Sequence, residues 1–355
     1  MIAYLTDESA SAYWDTAESI DGQTAQSFRT ALVEAAVTPK ALKGCDVPRE
    51  AIVNRKLHVL VGDERRPSKH VASHVCASGL PRGALRRISP SVEIASPEYL
   101  FVRMAAKLSL WETVRLGYEL CGTYVVNPAD PARNHREQLT TPAKLRHFLN
   151  KAGPIRGSRK AELALKYVVE KSNSPMETKL AMLLCLPFHY GGYGLPQPQM
   201  NHVIKLGKEQ ERLLGHSVFI CDLYWPFAQY ALEYYGREWH TGAQQVAYDA
   251  RRSGMLQYRG IDIHVVTYEQ LETPEDVGLL AKLVAKRLGV RLLESRTSHV
   301  WLLEMDFISI SLAKKRGYAF RRLTTRTKSA FRGVNVRTRI AHVAHASTMR
   351  RNVRR

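Results

Sequence analysis

Residues 219–267 constrain this chain more than any other stretch. Two short apolar runs flank the Trp225-Pro226 pair, and each run carries one carboxylate, Asp222 on the first and Glu233 on the second. The spacing predicts a tight hairpin with residues 226–229 in the loop. The pairing sum along an antiparallel ladder is constant, so Asp222 falls opposite Glu233. Opposite side chains share a face and approach closely, and like charges placed this way destabilise a sheet. A divalent cation removes the conflict, because hard cations take carboxylate oxygens. A solvated pair of strand acids is the plainer alternative. Leu223, Leu232 and Tyr234 fall on the opposite face by alternation, which can then be core.

The flanking pattern gives the hairpin its setting. Ser174-Pro175-Met176-Glu177 opens a helix whose buried stripe is Met176, Leu180, Leu183 and Leu184. A strand follows near 199–206. Beyond the hairpin come a helix over about 243–258, a strand over 261–267 and a helix over 274–288. Periodicity thus gives the order α-β-β-β-α-β-α.

Upstream, residues 1–60 read as helical and mixed, with Ala, Phe and Leu at helical spacing over 23–36. Residues 56–100 turn β-like. Ser96-Pro97-Glu98 then marks a helix start: Ser as cap, Pro in the first turn, an acid at the positive end of the dipole. A second helix runs from near Ser109 to before Gly122, and 127–141 reads as a linker. Thr141-Pro142 starts a helix to Leu149, and Gly153-Pro154 breaks the chain before a helix over 159–170.

The hairpin and its surroundings resemble the PD-(D/E)XK nuclease superfamily, specifically a bacterial branch related to very-short-patch-repair endonucleases. The residues that carry the likeness are Asp222-Leu223-Tyr224-Trp225-Pro226, Glu233-Tyr234-Tyr235-Gly236, His240, Asp249-Ala250-Arg251-Arg252, and Gly260-Ile261 through Val266-Thr267. The likeness covers roughly residues 155–290. Tyr235 departs from it, since the superfamily has Lys there and this branch often has Asp. The N-terminal half resembles relatives of abortive-infection antitoxin proteins, in which a short sheet precedes a helix opening with Ser-Pro-Glu.

The resemblance implies an α/β fold, a restriction-endonuclease-like mixed sheet flanked by helices, and Mg²⁺- or Mn²⁺-dependent hydrolysis of DNA phosphodiesters. Asp222, Glu233 and the backbone carbonyl of Tyr234 would hold the ion, which activates a water and offsets charge on the phosphate oxygens. Glu177 matches a helix acid directed at the metal. It also fits a capping box with Ser174, which uses the same side chain. Tyr235 follows Glu233 on the same face and either orients a water or packs; a phenol carries no charge near pH 7. His240 fits either a proton shuttle or a loop cap. Asp249 and Arg252 suit an ion pair on one helix.

The chain has 355 residues and a net charge of +19. Residues 313–355 hold 14 Lys and Arg with no acid, leaving +5 for the rest. This excess favours an anionic partner, nucleic acid above all, and the resemblance favours DNA over RNA. Five cysteines without a C-x-x-C pair fit a reduced cytoplasm better than a disulfide framework, and neither a signal peptide nor a membrane span is expected. His58, His70 and His74 show no spacing that pairs them with acids as metal ligands. The expected organisation is an α+β domain over 1–140, an endonuclease-like domain over 141–295 and a basic tail over 296–355. A catalytically inactive nucleic-acid binder or antitoxin-like regulator is the rival reading. The sequence leaves the oligomeric state open.

Overall fold

The computed structural model describes residues 1–292, apart from 21, 26–28, 64–67, 77–78, 127–133, 216 and 237–253. These residues fall within one unit, Met1–Leu312. The expected basic tail, His240, and the Asp249–Arg252 segment lie outside the described residues, as does most of the helix expected over 243–258. Residues 254–258, the last turn of that helix, are helical.

The chain opens with a buried strand, β1 (Ala3–Leu5), followed by α1 (Asp7–Trp14). β1 sits inside a six-stranded sheet with β2 (Gln23–Thr24), β3 (Leu57–Val61), β4 (Val71–Val75), β5 (Leu85–Ser89) and β6 (Val92–Ala95), in the order β2-β5-β6-β1-β3-β4. β1 runs parallel to β6 and antiparallel to β3, and β3 runs parallel to β4. The helical expectation over 23–36 fails. Those residues supply β2 and a 3₁₀ turn over Arg29–Glu34. The Ala36 amide bonds Ile2 O, and Leu32 O accepts from Gly62 N–H. Backbone groups that a helix would pair internally are taken by neighbouring segments.

A helical layer follows a short helix, α2 (Pro39–Leu42). It consists of α3 (Pro97–Ala105), α4 (Leu110–Cys121), α5 (Pro142–Ala152) and α6 (Ser158–Leu165). Ser96 caps α3 through the Tyr99 amide, Ser109 and Glu112 close a capping box on α4, and Thr141 caps α5. α3 packs on α4, α5 and α6. Gly157 enters α6 at φ +103, and a Cβ there would collide with the Val102 carbonyl, so the approach of α6 to α3 requires glycine.

α7 (Pro175–Cys185) packs against α4 on one side and β8 (Val218–Trp225) on the other. It links the helical layer to a second sheet of order β10-β9-β8-β7, built from β7 (Gln199–Lys205), β8, β9 (Tyr230–Tyr235) and β10 (Asp262–Thr267). β7, β8 and β9 are antiparallel, and β10 runs parallel to β9. α8 (Lys208–Leu214) fills the β7–β8 connection, and α9 (Pro274–Arg287) closes the described chain. The result is a mixed α/β architecture with mixed sheets flanked by helices.

One buried hydrophobic cluster runs from Ala3 in the first sheet through Leu100, Leu120 and Leu184 to Leu223, Trp225 and Leu232 in the second. A smaller cluster gathers Ile204, Cys221, Tyr224, Ala231, Leu256 and Ile261. Trp225 is wholly buried, and its indole N–H donates to Pro196 O at 2.7 Å. Trp225→Ala should therefore cost about 3–5 kcal/mol by urea denaturation, through lost packing and the cavity left behind. Trp225→Phe should cost less, about 1–3 kcal/mol, mainly by leaving the Pro196 carbonyl without its donor.

Candidate functional site

The β8–β9 hairpin has the expected register. Trp225 pairs with Tyr230 and Leu223 with Leu232 around the 226–229 loop. The ladder ends there. One step further stand Asp222 and Glu233, which the same register sets across from each other. The Tyr234 N–H donates to Asp222 Oδ2 at 2.8 Å. β9 continues along β10 to the Tyr235–Thr267 pair, while β8 continues along β7 to the Val218–Lys205 pair. The second sheet thus forks at the two carboxylates. Leu223 and Leu232 are fully buried in the main core, as alternation requires.

Glu177 reaches this fork from the first turn of α7. Ser174 Oγ accepts the Glu177 N–H at 3.1 Å, which starts the helix. Glu177 Oε2 accepts from the Asn173 N–H at 2.8 Å, one residue upstream of the expected Ser174 amide. The same oxygen accepts from Asn201 Nδ2 at 2.6 Å. Asn201 lies between the Met200–Leu223 and His202–Cys221 pairs, so the β7–β8 register sets it beside Asp222. Its φ of +46° is in the left-handed region, which Asn tolerates better than most residues. Sequence reasoning missed Asn201, since nothing in its strand marks a side chain turned to a distant helix.

Burial raises the Glu177 pKa to about 7, the Asp222 charge adds to the rise, and the bonds from Asn173 and Asn201 oppose it. Glu177 and Asp222 thus sense each other electrostatically. Glu233 is buried, and Tyr234 and Tyr235 are half-buried. Tyr234 meets Asp222 through its N–H, whereas the resemblance assigns its carbonyl as a ligand.

A second polar cluster lies on the first sheet. His58 on β3 and His74 on β4 share a face: Leu60 is the partner of His74, and His58 is two residues before it. Their rings stack at 5.2 Å, with His58 Nδ1 3.0 Å from His74 Nε2. Glu8 Oε2 lies 2.8 Å from His58 Nδ1, and Asp7 Oδ2 lies 3.0 Å from His74 Nδ1. Arg103 on α3 clamps Asp7 through Nε at 2.8 Å and Nη2 at 2.9 Å. Lys107 Nζ lies 2.9 Å from Asp7 and 3.1 Å from Glu8. Burial alone would raise the Asp7 pKa, but Arg103, Lys107 and His74 together hold it well below the usual carboxylate range. Burial lowers the His74 pKa to about 4; Asp7 opposes that, while Lys107, His58 and Arg103 reinforce it.

Among the described residues, one trio of His, Cys, Asp and Glu brings its ligand atoms within 4.8 Å of one another: Glu8, His58 and His74. That trio could hold a metal ion. It corrects the expectation that these histidines pair with no acid. The partners come from three separate elements, so no local spacing announces them. Glu177, Asp222 and Glu233 do not converge that closely, because each of the first two is turned to an amide donor of its own. No described helix is long and apolar enough to cross a membrane. Comparison with known protein families, curated proteins and solved structures finds no match.

Because the fold favours protonated Glu177, the stability this group contributes is fully present below its ordinary value of 4.5. It is lost as pH rises through about 7. Glu177→Gln, which mimics the protonated form, should gain roughly 1–3 kcal/mol relative to wild type across that window, read from melting curves at stepped pH. Asp222→Asn should shrink the same slope by removing the neighbouring charge. A wild-type minus Glu177→Gln difference that is flat with pH would show that Glu177 titrates normally.

Proposed function

We propose that Glu177, Asp222 and Glu233 form the divalent-cation site of a PD-(D/E)XK-like nuclease acting on DNA. The observation that carries this reading is the placement of Asp222 across from Glu233 where the β8–β9 ladder ends, with buried Glu177 held by Asn201, the residue the β7–β8 register sets beside Asp222. Acidic groups from a helix and two strands are set around a fork in the sheet, and a Mg²⁺ or Mn²⁺ ion that drew them together would relieve their mutual repulsion. When bound, the ion polarises a phosphate oxygen and lowers the pKa of a water. Asp222 and Glu233 would hold it from neighbouring strands, Glu177 would add a ligand from α7, and Asn201 fixes that carboxylate's direction. The basic excess over 313–355 supplies sequence-independent attraction to the phosphate backbone.

Tyr235 favours a second reading. It stands where the superfamily has Lys, at the end of β9. A chain that binds DNA here without cutting it, as an inactive binder or antitoxin-like regulator, fits that substitution.

Asp222→Asn keeps an oxygen to accept the Tyr234 N–H but removes a negative ligand. Divalent-ion affinity and cleavage of single-stranded, duplex or mismatched DNA should fall by orders of magnitude, while thermal stability holds or rises. Equal cleavage by both proteins would sink the catalytic assignment of Asp222. Salt-sensitive DNA binding by wild type, with no cleavage in Mg²⁺ or Mn²⁺, would select the second reading.

A further inference from the structure

We propose that Glu8, His58 and His74 form a second metal site, separate from the carboxylate fork and selective for a zinc-like transition-metal ion. Two imidazoles and one carboxylate are a donor set that suits Zn²⁺ and its neighbours and is poorly matched to Mg²⁺. The spacing agrees. Ligands about 2.0–2.1 Å from a tetrahedral ion sit about 3.3 Å from one another. Here His58 Nδ1 is 3.0 Å from His74 Nε2 and 2.8 Å from Glu8 Oε2, so a small outward movement admits an ion between them.

The hydrogen-bond pattern also prepares His74, while His58 Nδ1, set between Glu8 and His74 Nε2, gives up its proton when an ion takes its place. Asp7 Oδ2 lies 3.0 Å from His74 Nδ1, which places the imidazole proton on Nδ1 and leaves the Nε2 lone pair facing His58. A carboxylate behind a histidine in this way fixes the tautomer and ring orientation of a metal ligand. Asp7 is thus the positioning residue, and Arg103 holds it in turn. Asp7 takes φ +51° at the start of α1, a strained conformation for a residue other than glycine. That backbone turn sends two adjacent carboxylates to the same pair of histidines. Three protein ligands leave a fourth position for water, which the side chains of His58 and His74, 17% and 19% exposed, allow in.

Lys107 decides the strength of the site. Its ammonium lies 3.1 Å from the Glu8 oxygen that would ligate the ion. Ammonium and metal compete for that oxygen. Lys107 is also the more exposed partner, at 35%, so it can swing away and leave Arg103 on Asp7.

The test is Zn²⁺ titration of tag-free, full-length protein by calorimetry, with Co²⁺ absorption as a second readout of imidazole ligation. One tight equivalent is expected at this site. His58→Ala and His74→Ala should each abolish it or weaken it by at least about tenfold, and Asp7→Asn by about 10–100-fold. Lys107→Met should tighten binding by about tenfold, and because it removes no ligand it guards against a result caused only by misfolding. Asp222→Asn should leave Zn²⁺ affinity unchanged, and His58→Ala should leave Mg²⁺ affinity unchanged, which separates this site from the fork. Zn²⁺ binding that survives both histidine substitutions, or that Lys107→Met leaves unchanged or weakens, would overturn the proposal.

Discussion

The two-nitrogen grip of Arg103 on Asp7 anchors the first sheet to the helical layer. Asp7 is wholly buried, and a carboxylate in that position is costly unless its charge is met. Arg103 and Lys107 meet it from α3 and from the turn just after α3. The grip fixes where α3 lies against α1, and α3 in turn carries α4, α5 and α6. Removing Arg103 alone would strand a buried charge, which costs far more than the ion pair itself stabilises. The carboxylate fork meets the same constraint in the opposite way. Burial and Asp222 raise the Glu177 pKa to about 7, so neutralisation is by proton rather than by an arginine. One cluster meets its buried charge with cations of the chain, and the other with hydrogen-bond donors and a raised pKa.

The helix starts were legible because each is written locally. Ser96-Pro97, Thr141-Pro142, Ser174-Pro175 and Thr273-Pro274 all begin helices, with the hydroxyl accepting an amide of the first turn. The hairpin register was legible for a similar reason. Loop length and strand alternation fix it, and Gln229 adopts the left-handed conformation at φ +48° that closes the loop. The elements that escaped are those whose partners are distant. β1 is three residues long, too short to show a period, and it is a strand because β3 and β6 lie on either side. Residues 23–36 carry helical spacing, yet their backbone groups pair with Ile2 and Gly62.

The same distinction separates the two polar clusters. Asp222 and Glu233 are 11 residues apart on one hairpin, so their opposition could be counted. Glu8, His58 and His74 come together only because β3 and β4 are parallel neighbours beside β1. A parallel pair needs a crossover, and the residues in that connection hold no record of which side chains will meet. Glu8 itself is masked by its setting. Thr6-Asp7-Glu8 reads as acids favouring a helix N-terminus, and they do occupy the first turn of α1. Asn201 escaped in the same way, because its amide serves Glu177 on another element.

Charge balance at the fork bears on the cation site proposed there. An ionised Asp222–Glu233 pair matches the charge of one divalent cation. A third carboxylate makes the site net negative, and an approaching phosphate then meets repulsion. A lysine beside the pair would cancel that excess; Tyr235 does not, because a phenol is neutral near pH 7. Glu177, with its pKa raised to about 7 in the ion-free fold, can take up a proton close to neutral pH, and a bound cation would draw that proton off again. Asn173 and Asn201 hold the carboxyl in place whichever form it takes, so protonation changes the charge without releasing the side chain. Burial thus gives the ion-free fork one carboxyl that can shed its charge close to neutral pH.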